Sequence, residues 1–401
     1  MVSFGGEVRE QLRYFNHVNF GNVDSAISAR DFYLQQRYML HADLHIKHIL
    51  RIFAQLNSCH ATGKNTISPQ VDHDDLGIMQ AFAELHFNIP FPVQLRLGRQ
   101  EFLFGIDRIL GLRDGPTIRQ TYDGARLTLG MGNVSGDFFL VQPVSYEFGV
   151  FDNTRRSKEY VLSGYWSLPL KESNLLDLYY FGVQFQNSTY ANDTANENRH
   201  SAGFRISNSA GSFTYDAELT CQFGKFGQQA IRAWHFSSQF AYRWQELSWQ
   251  PRLLAREAIY SGDRDQGDGV MNTFRPVSTK SPVHDLVPIG SANLILLSPE
   301  AEIVLSKELA FTVRYLAVWR LSVNDGMYPP DVRKMIRETD MPGEERGKTI
   351  INGATAEFMY TPNKHVAVWI YGGIFKAGEY IRNTGAGKNM EAFSLRVAYK
   401  F

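Results

Sequence analysis

The sequence predicts an all-β fold: a single transmembrane antiparallel β-barrel of about 18 strands, with short periplasmic turns and long extracellular loops. Three observations predict it. Apolar and polar residues alternate with period two over runs of roughly 10 to 13 residues, longer than ordinary strands and close to the length that crosses a membrane. Connections between the runs alternate between short and long. No apolar run in the 401 residues approaches the ~18 of a membrane helix, yet aromatics make up 13% of the chain.

The alternation is plainest in the closing stretch "EAFSLRVAYKF". Phe393, Leu395, Val397, Tyr399 and Phe401 are apolar or aromatic, and Ser394, Arg396 and Lys400 fall between them. The same pattern runs through 212–223, 234–244 and 309–321. A last strand that keeps its register to an aromatic is expected to close the barrel against residues 3–15. It also resembles the segment by which outer-membrane assembly machinery selects its clients.

Tight connections are expected at 88–92, 130–133, 208–211, 244–248 and 361–364, and long ones at 59–75, 105–119, 187–198, 261–288, 322–349 and 378–388. This asymmetry suits a barrel with periplasmic turns at one end and external loops at the other. A soluble sandwich would have shorter strands and a polar outer face. Here Trp244, Trp249, Trp319, Tyr360 and Tyr399 sit near strand ends, as interfacial girdles require. No convincing amphipathic helix and no linker interrupts the pattern, so residues 1–401 read as one domain.

Lys+Arg and Asp+Glu are balanced at 41 each, which gives no reason to expect a nucleic-acid partner. The first residues lack a basic n-region and an apolar core, so they do not read as a signal peptide. Cys59 and Cys221 form no metal-type cluster and are expected on opposite faces, as free thiols. His41, His45 and His48 lie close in sequence but differ in parity. Asp263, Asp265 and Asp268 suggest calcium but miss the EF-hand spacing. No metal or cofactor is therefore expected.

If the apolar parity faces lipid, the opposite parity lines a pore. It places Arg9, Arg13, Arg37, Arg51, Arg96, Arg126, Arg205, Arg243, Arg252, Arg256, Arg314, Arg320 and Arg396 inside, with fewer acids (Glu7, Glu84, Asp216, Glu218, Glu357 and, as a sixth candidate, Asp31). Arginines in a pore favour anions, and their planar forks suit carboxylates. The same residues also serve to cross-link neighbouring strands. Segments 175–187 and 289–304 can be read with either face inward. Leu95 and Leu97 put Arg99 on the lipid face unless the strand ends or bulges at Gly98.

Several stretches resemble a known family. "LRLGRQEFLFG" (95–105) followed by "TYDGARLTLG" (121–130), "SGDRDQGDGVMNTFRP" (261–276), and Gly372, Gly373, Phe375, Lys376 and Gly378 in the final hairpin are similar to motifs of the alginate export family of outer-membrane barrels. The resemblance implies a monomeric barrel of about 18 strands that passes a polyuronate. Carried over by motif, Arg96, Arg99 and Arg126 become lumen or rim residues, and Trp369 and Tyr371 inward ones. Trp369 and Tyr371 stand where an alginate exporter is expected to carry basic residues. Aromatics there suit stacking on sugar rings.

The expected function is an outer-membrane channel for an anionic oligo- or polysaccharide, with lipid and lipopolysaccharide around it. A general or small-solute porin is the alternative. An outer-membrane enzyme is disfavoured, because no nucleophile motif such as G-x-S-x-G appears.

Overall fold

Eighteen long strands pair antiparallel in chain order, and the last returns to the first. The structure, a computed structural model, describes all residues except 24–27, 66–70, 116, 172, 191–192, 279, 333–336 and 338–345. The middles of the expected loops 59–75 and 322–349 therefore lie outside the described residues.

The barrel strands are β1 (Val2–Asn16), β2 (Arg30–Ile46), β3 (Leu50–Thr62), β4 (Asp74–Asn88), β5 (Pro92–Gln100) and β6 (Tyr122–Met131). They continue with β7 (Val134–Ser145), β8 (Tyr160–Pro169), β9 (Asn174–Tyr190), β10 (Asp193–Asn208), β11 (Phe213–Phe226) and β12 (Gln229–Arg243). The circuit is completed by β13 (Arg252–Tyr260), β14 (Leu294–Val304), β15 (Leu309–Trp319), β16 (Thr349–Tyr360), β17 (Val366–Ala377) and β18 (Met390–Lys400). β18 zips onto β1 from Glu7↔Lys400 to Asn16↔Glu391. Beyond it, Phe401 and Gly6 exchange both backbone hydrogen bonds, at 3.0 and 3.2 Å. A closed sheet leaves no unpaired edge, which is what a lipid environment demands.

Period-two sequence becomes two chemically different walls. Leu40, Leu140, Leu253 and Ile374 each expose more than half of their surface on the outside. On the same strands Arg37, Phe139, Leu254 and Phe375 point inward and are buried. Trp249, Tyr360 and Tyr399 are exposed at the short-turn end, as a girdle is.

Segments 175–187 and 289–304, ambiguous in sequence, take one orientation. Asp177, Tyr179 and Phe181 face inward, as do Leu294, Leu296, Ser298 and Glu300. The expected long loop at 187–198 is instead wall: β9 runs to Tyr190 and β10 starts at Asp193. Its polar residues form a hairpin that shifts register between Phe185 and Ser188 and tucks Tyr190 against Phe226, ring centroids 5.1 Å apart. A short α-helix, α1 (Glu379–Asn383), lies in the expected loop 378–388 with Tyr380 and Ile381 buried.

The other long loops fold into the barrel. Phe102 and Phe104, just after β5, pack on Phe139 and Tyr165 at 4.4 and 4.5 Å between ring centroids. Ile109, Leu110, Val283, Leu286, Val287, Met327 and Tyr328 join them in one apolar cluster with inward-facing strand residues. The long-loop half of the lumen thus holds a packed core, and the short-turn half is lined by charge.

Candidate functional site: the channel lumen

The first lumen wall is built by β18, β1 and β2. Alternation turns Glu7, Arg9, Gln11 and Arg13 inward on one strand and Arg37 and Gln35 on its neighbour. The register sets Arg9 directly opposite Arg37, a repulsive pairing on its own. Glu7 relieves it by accepting from Arg37 Nε at 3.0 Å and from Nη2 at 2.6 Å.

Asp114, on the inward loop after β5, completes the arrangement. Its carboxylate lies 2.8 Å from Arg37 Nη1, 3.3 Å from Arg9 Nη1 and 2.7 Å from Arg119 Nε. Partial desolvation inside the barrel pushes the Asp114 carboxyl up, but Arg37, Arg119 and Arg9 together hold it far below the usual carboxylate range. Its side chain still exposes 41% of its surface, so each pairing is screened and none alone fixes the loop.

A second loop acid, Asp285, does the same for other residues of this wall. It lies 3.4 Å from Arg13 Nη2, 2.9 Å from His284 Nδ1 and 3.8 Å from Arg396 Nη2, and Tyr371 donates to it at 2.6 Å. Burial raises this carboxyl, and His284, Arg13 and Tyr371 outweigh it, leaving it well below its ordinary value. Arg396 also sits over the Trp369 and Tyr371 rings, 5.7 and 5.9 Å from their centroids. Arg9, Arg13, Arg37, Trp369, Tyr371 and Arg396 therefore gather on one wall, closed over by two aspartates.

The remaining sequence-derived residues are distributed round the barrel. Arg96 donates to Glu84 at 2.6 Å, Arg126 to Asp137 at 2.7 Å and Arg314 to Glu300 at 2.7 Å. Glu302 takes Arg243 at 2.5 Å and faces Arg252 at 3.7 Å. Among the described residues, no hydrogen bond or ion pair reaches Arg256. It faces a lumen cavity of about 310 Å³ lined by Arg108, Arg314, Lys280 and His284 and by the acids Asp107, Glu257 and Asp285. Arg320 differs from the rest: just beyond β15, it donates to the carbonyls of Val323, Asp325 and Gly347 and lies over Tyr380, and so anchors a loop.

Sequence parity missed much of the acid. Asp43, Asp137, Asp177, Glu197, Glu300 and Glu302 also face inward, so the excess of positive charge is largely neutralised. Asp177 shares Arg205 with Asp216, and loop Arg108 reaches Asp216 at 2.6 Å. Counting parity outward from Leu178 and Leu297, both exposed, would have found Asp177, Glu300 and Glu302.

Arg99 belongs to the outer face at the rim. The register passes through Phe82↔Gly98 and Gly98↔Gly124 without a bulge, so Arg99 keeps the parity of Leu97. Asp123 holds it in two bonds of 2.7 and 3.0 Å. Gly98 has φ +129°, and a Cβ there would sit 2.2 Å from the Ala81 carbonyl oxygen, so the close approach of β4 requires glycine. Cys59 is buried inside and Cys221 exposed outside, both unbridged. Among the described residues His41, His45 and His48 do not converge; His60, His73 and Asp75 do, on the outer face.

With this geometry in place, comparison with known proteins assigns the family. The model of the alginate export family matches residues 1–394. The chain belongs to the alginate export family. No curated protein sequence matches it. For this alginate export family chain the solved structures supply fold relatives. OccK2 (OpdF) of Pseudomonas aeruginosa has a TM-score of 0.63 at 12% identity, covering 100% of this chain and 97% of that one. A BenF-like porin of Pseudomonas fluorescens Pf-5 has a TM-score of 0.64 at 11% identity, covering 100% and 98%. The family and the barrel together make the chain an outer-membrane channel.

Proposed function

We propose that the channel passes an anionic saccharide, an oligo- or polysaccharide of the uronate class, by passive diffusion through a lumen that its arginines read. The observation that carries this is Arg256, a lumen guanidinium that no hydrogen bond or ion pair reaches among the described residues and whose charge Glu300 offsets from a distance, facing a cavity beside Arg108 and Arg314. A sugar carboxylate is a ligand that a planar guanidinium without a direct ion pair binds well. Trp369, half-buried next to Arg396, adds a ring face for the sugar itself, whereas Tyr371 is buried behind it. Family membership supports a polyuronate, and OccK2, a fold relative, has also been crystallised with the small uronate glucuronate. A second reading, a porin for small acidic solutes, is favoured by the loops that fold inward and narrow the passage.

Planar-bilayer recording separates the two. Anion selectivity with block by polyuronate, but not by neutral dextran, supports saccharide passage. Anion selectivity with block by monomeric uronate alone supports the small-solute reading. Arg256→Ala should lower selectivity without altering assembly; cation selectivity in the unmodified channel would overturn both readings.

A further inference from the structure

On the outer face, the ends of β3 and β4 bring together two imidazoles and a carboxylate that the lumen does not use. His60 lies near the end of β3, and His73 and Asp75 bracket the start of β4. The ladder between these strands shifts once between Gln55 and Leu56 and again between Asn57 and Cys59. A single shift would turn one strand's outward side chains inward, and the second restores them. The last pair is Cys59↔Asp74, both inward and fully buried. His60 and His73 stand opposite each other one step beyond it, on the outward parity, with Ser58 and Asp75 as their neighbours on the same face.

The three side chains converge, with one ligand atom from each within 4.8 Å of the others. His73 Nε2 lies 3.1 Å from Asp75 Oδ1. Two atoms bonded to one tetrahedral zinc at ~2.0–2.1 Å stand about 3.4 Å apart. The His60 and His73 rings meet edge to face, with centroids 5.0 Å apart. Two imidazoles on one tetrahedral zinc place their centroids about 5 Å apart. Donor capacity is also unspent: among the described residues, no hydrogen bond reaches Nδ1 of either histidine or Asp75 Oδ2. The rings are held in place from outside the cluster. Ser58 Oγ is 3.0 Å from His60 Nε2, and Phe148 packs on His73 with ring centroids 5.7 Å apart. Phe148 is itself tied down by Asp75 N, which donates to its carbonyl at 3.1 Å.

We propose that His60, His73 and Asp75 form a zinc site on the outer rim of the barrel, with a water in the fourth position. Two imidazoles and one carboxylate suit zinc, whereas calcium and magnesium take oxygen shells. The ion binds neutral imidazole, so the proton that His73 shares with Asp75 leaves to solvent as zinc enters. Its role is to fasten the wall. Beyond Cys59↔Asp74, β3 runs on to Thr62 paired with β2 alone, and the ion clips the chain entering β4 onto that end. A second His–Asp pair in the chain shows what is special here. His45 Nε2 also lies 3.1 Å from an aspartate two residues away, Asp43. There Arg51 takes both carboxylate oxygens at 2.9 Å, so the pair is already complete.

The test titrates zinc into the full chain in detergent micelles, prepared without a histidine tag, and follows binding by calorimetry. One equivalent should bind. His60→Ala and His73→Ala should each weaken it at least tenfold, Asp75→Asn should weaken it less, and His45→Ala should leave it unchanged. Cobalt in place of zinc should give the intense visible bands of a four-coordinate ion; the weak bands of a six-coordinate one would count against the site. Heat-modifiable migration checks that each variant is folded. If a histidine variant does not fold, zinc protection of His60 and His73 from acylation in the unmodified chain, lost with chelator, supports the site. Absence of that protection, wild-type affinity in a folded histidine variant, or no stoichiometric binding to the unmodified chain overturns it.

Discussion

At the scale of single residues, two aspartates offset much of the arginine charge on one lumen wall. Asp114 neutralises Arg9, Arg37 and Arg119 from a loop, and Asp285 does so for Arg13 and Arg396. Asp114→Asn should therefore raise anion selectivity a few-fold in bilayer recordings, through three guanidiniums released together. The pH dependence follows from the direction of its shift. A carboxyl held below its ordinary value contributes stability above that value and loses it only as pH falls through the lower, folded one. The clasp should then behave identically at about pH 7 and about pH 5, both above the ordinary Asp value of roughly 3.9. Selectivity that changes between them would assign the clasp to another group. Most of this was hidden in the sequence, because a loop residue has no parity. Nothing in "LRDGP" announces that Asp114 reaches strands about a hundred positions earlier.

At the scale of elements, the wall was legible wherever its two faces differ in chemistry. β1, β2 and β18 alternate charge with lipid-facing apolar groups, and their inward residues follow directly. Legibility failed where the inner face is apolar as well. β9 carries Leu178, Tyr179, Tyr180 and Phe181 in succession, because Tyr179 and Phe181 pack against the inward loop and its neighbours while Leu178 meets lipid. β7 places Phe138 and Phe139 side by side for the same reason. The hairpin of β9 and β10 read as loop because its polar residues stand where lipid imposes no pattern. A test of the outer face uses Leu140, mid-strand on β7 and 57% exposed. Leu140→Arg should cost about 2–4 kcal/mol of folding free energy in lipid at the bilayer midplane, measured by reversible denaturation in vesicles. A cost near zero would place this strand's centre outside the hydrocarbon.

At the scale of the whole molecule, the lumen has two storeys. Near the short turns it is lined by arginine–acid pairs such as Arg96 with Glu84 and Arg243 with Glu302. Near the long loops it is narrowed by an apolar cluster that no lipid touches, with Phe274, Leu316, Phe375 and Tyr380 fully buried. That cluster has a thermodynamic signature. The outer belt stays covered by lipid or detergent and exposes little to water when loops come loose. The inner cluster, once the loops withdraw, is wetted, and wetted apolar surface raises heat capacity by roughly 0.45 cal/K/mol per Å². Scanning calorimetry should accordingly resolve a first transition with a positive heat-capacity step, in which the loops leave, and a later one in which the wall itself melts. The chain should then behave thermally as a small soluble core housed inside a membrane barrel.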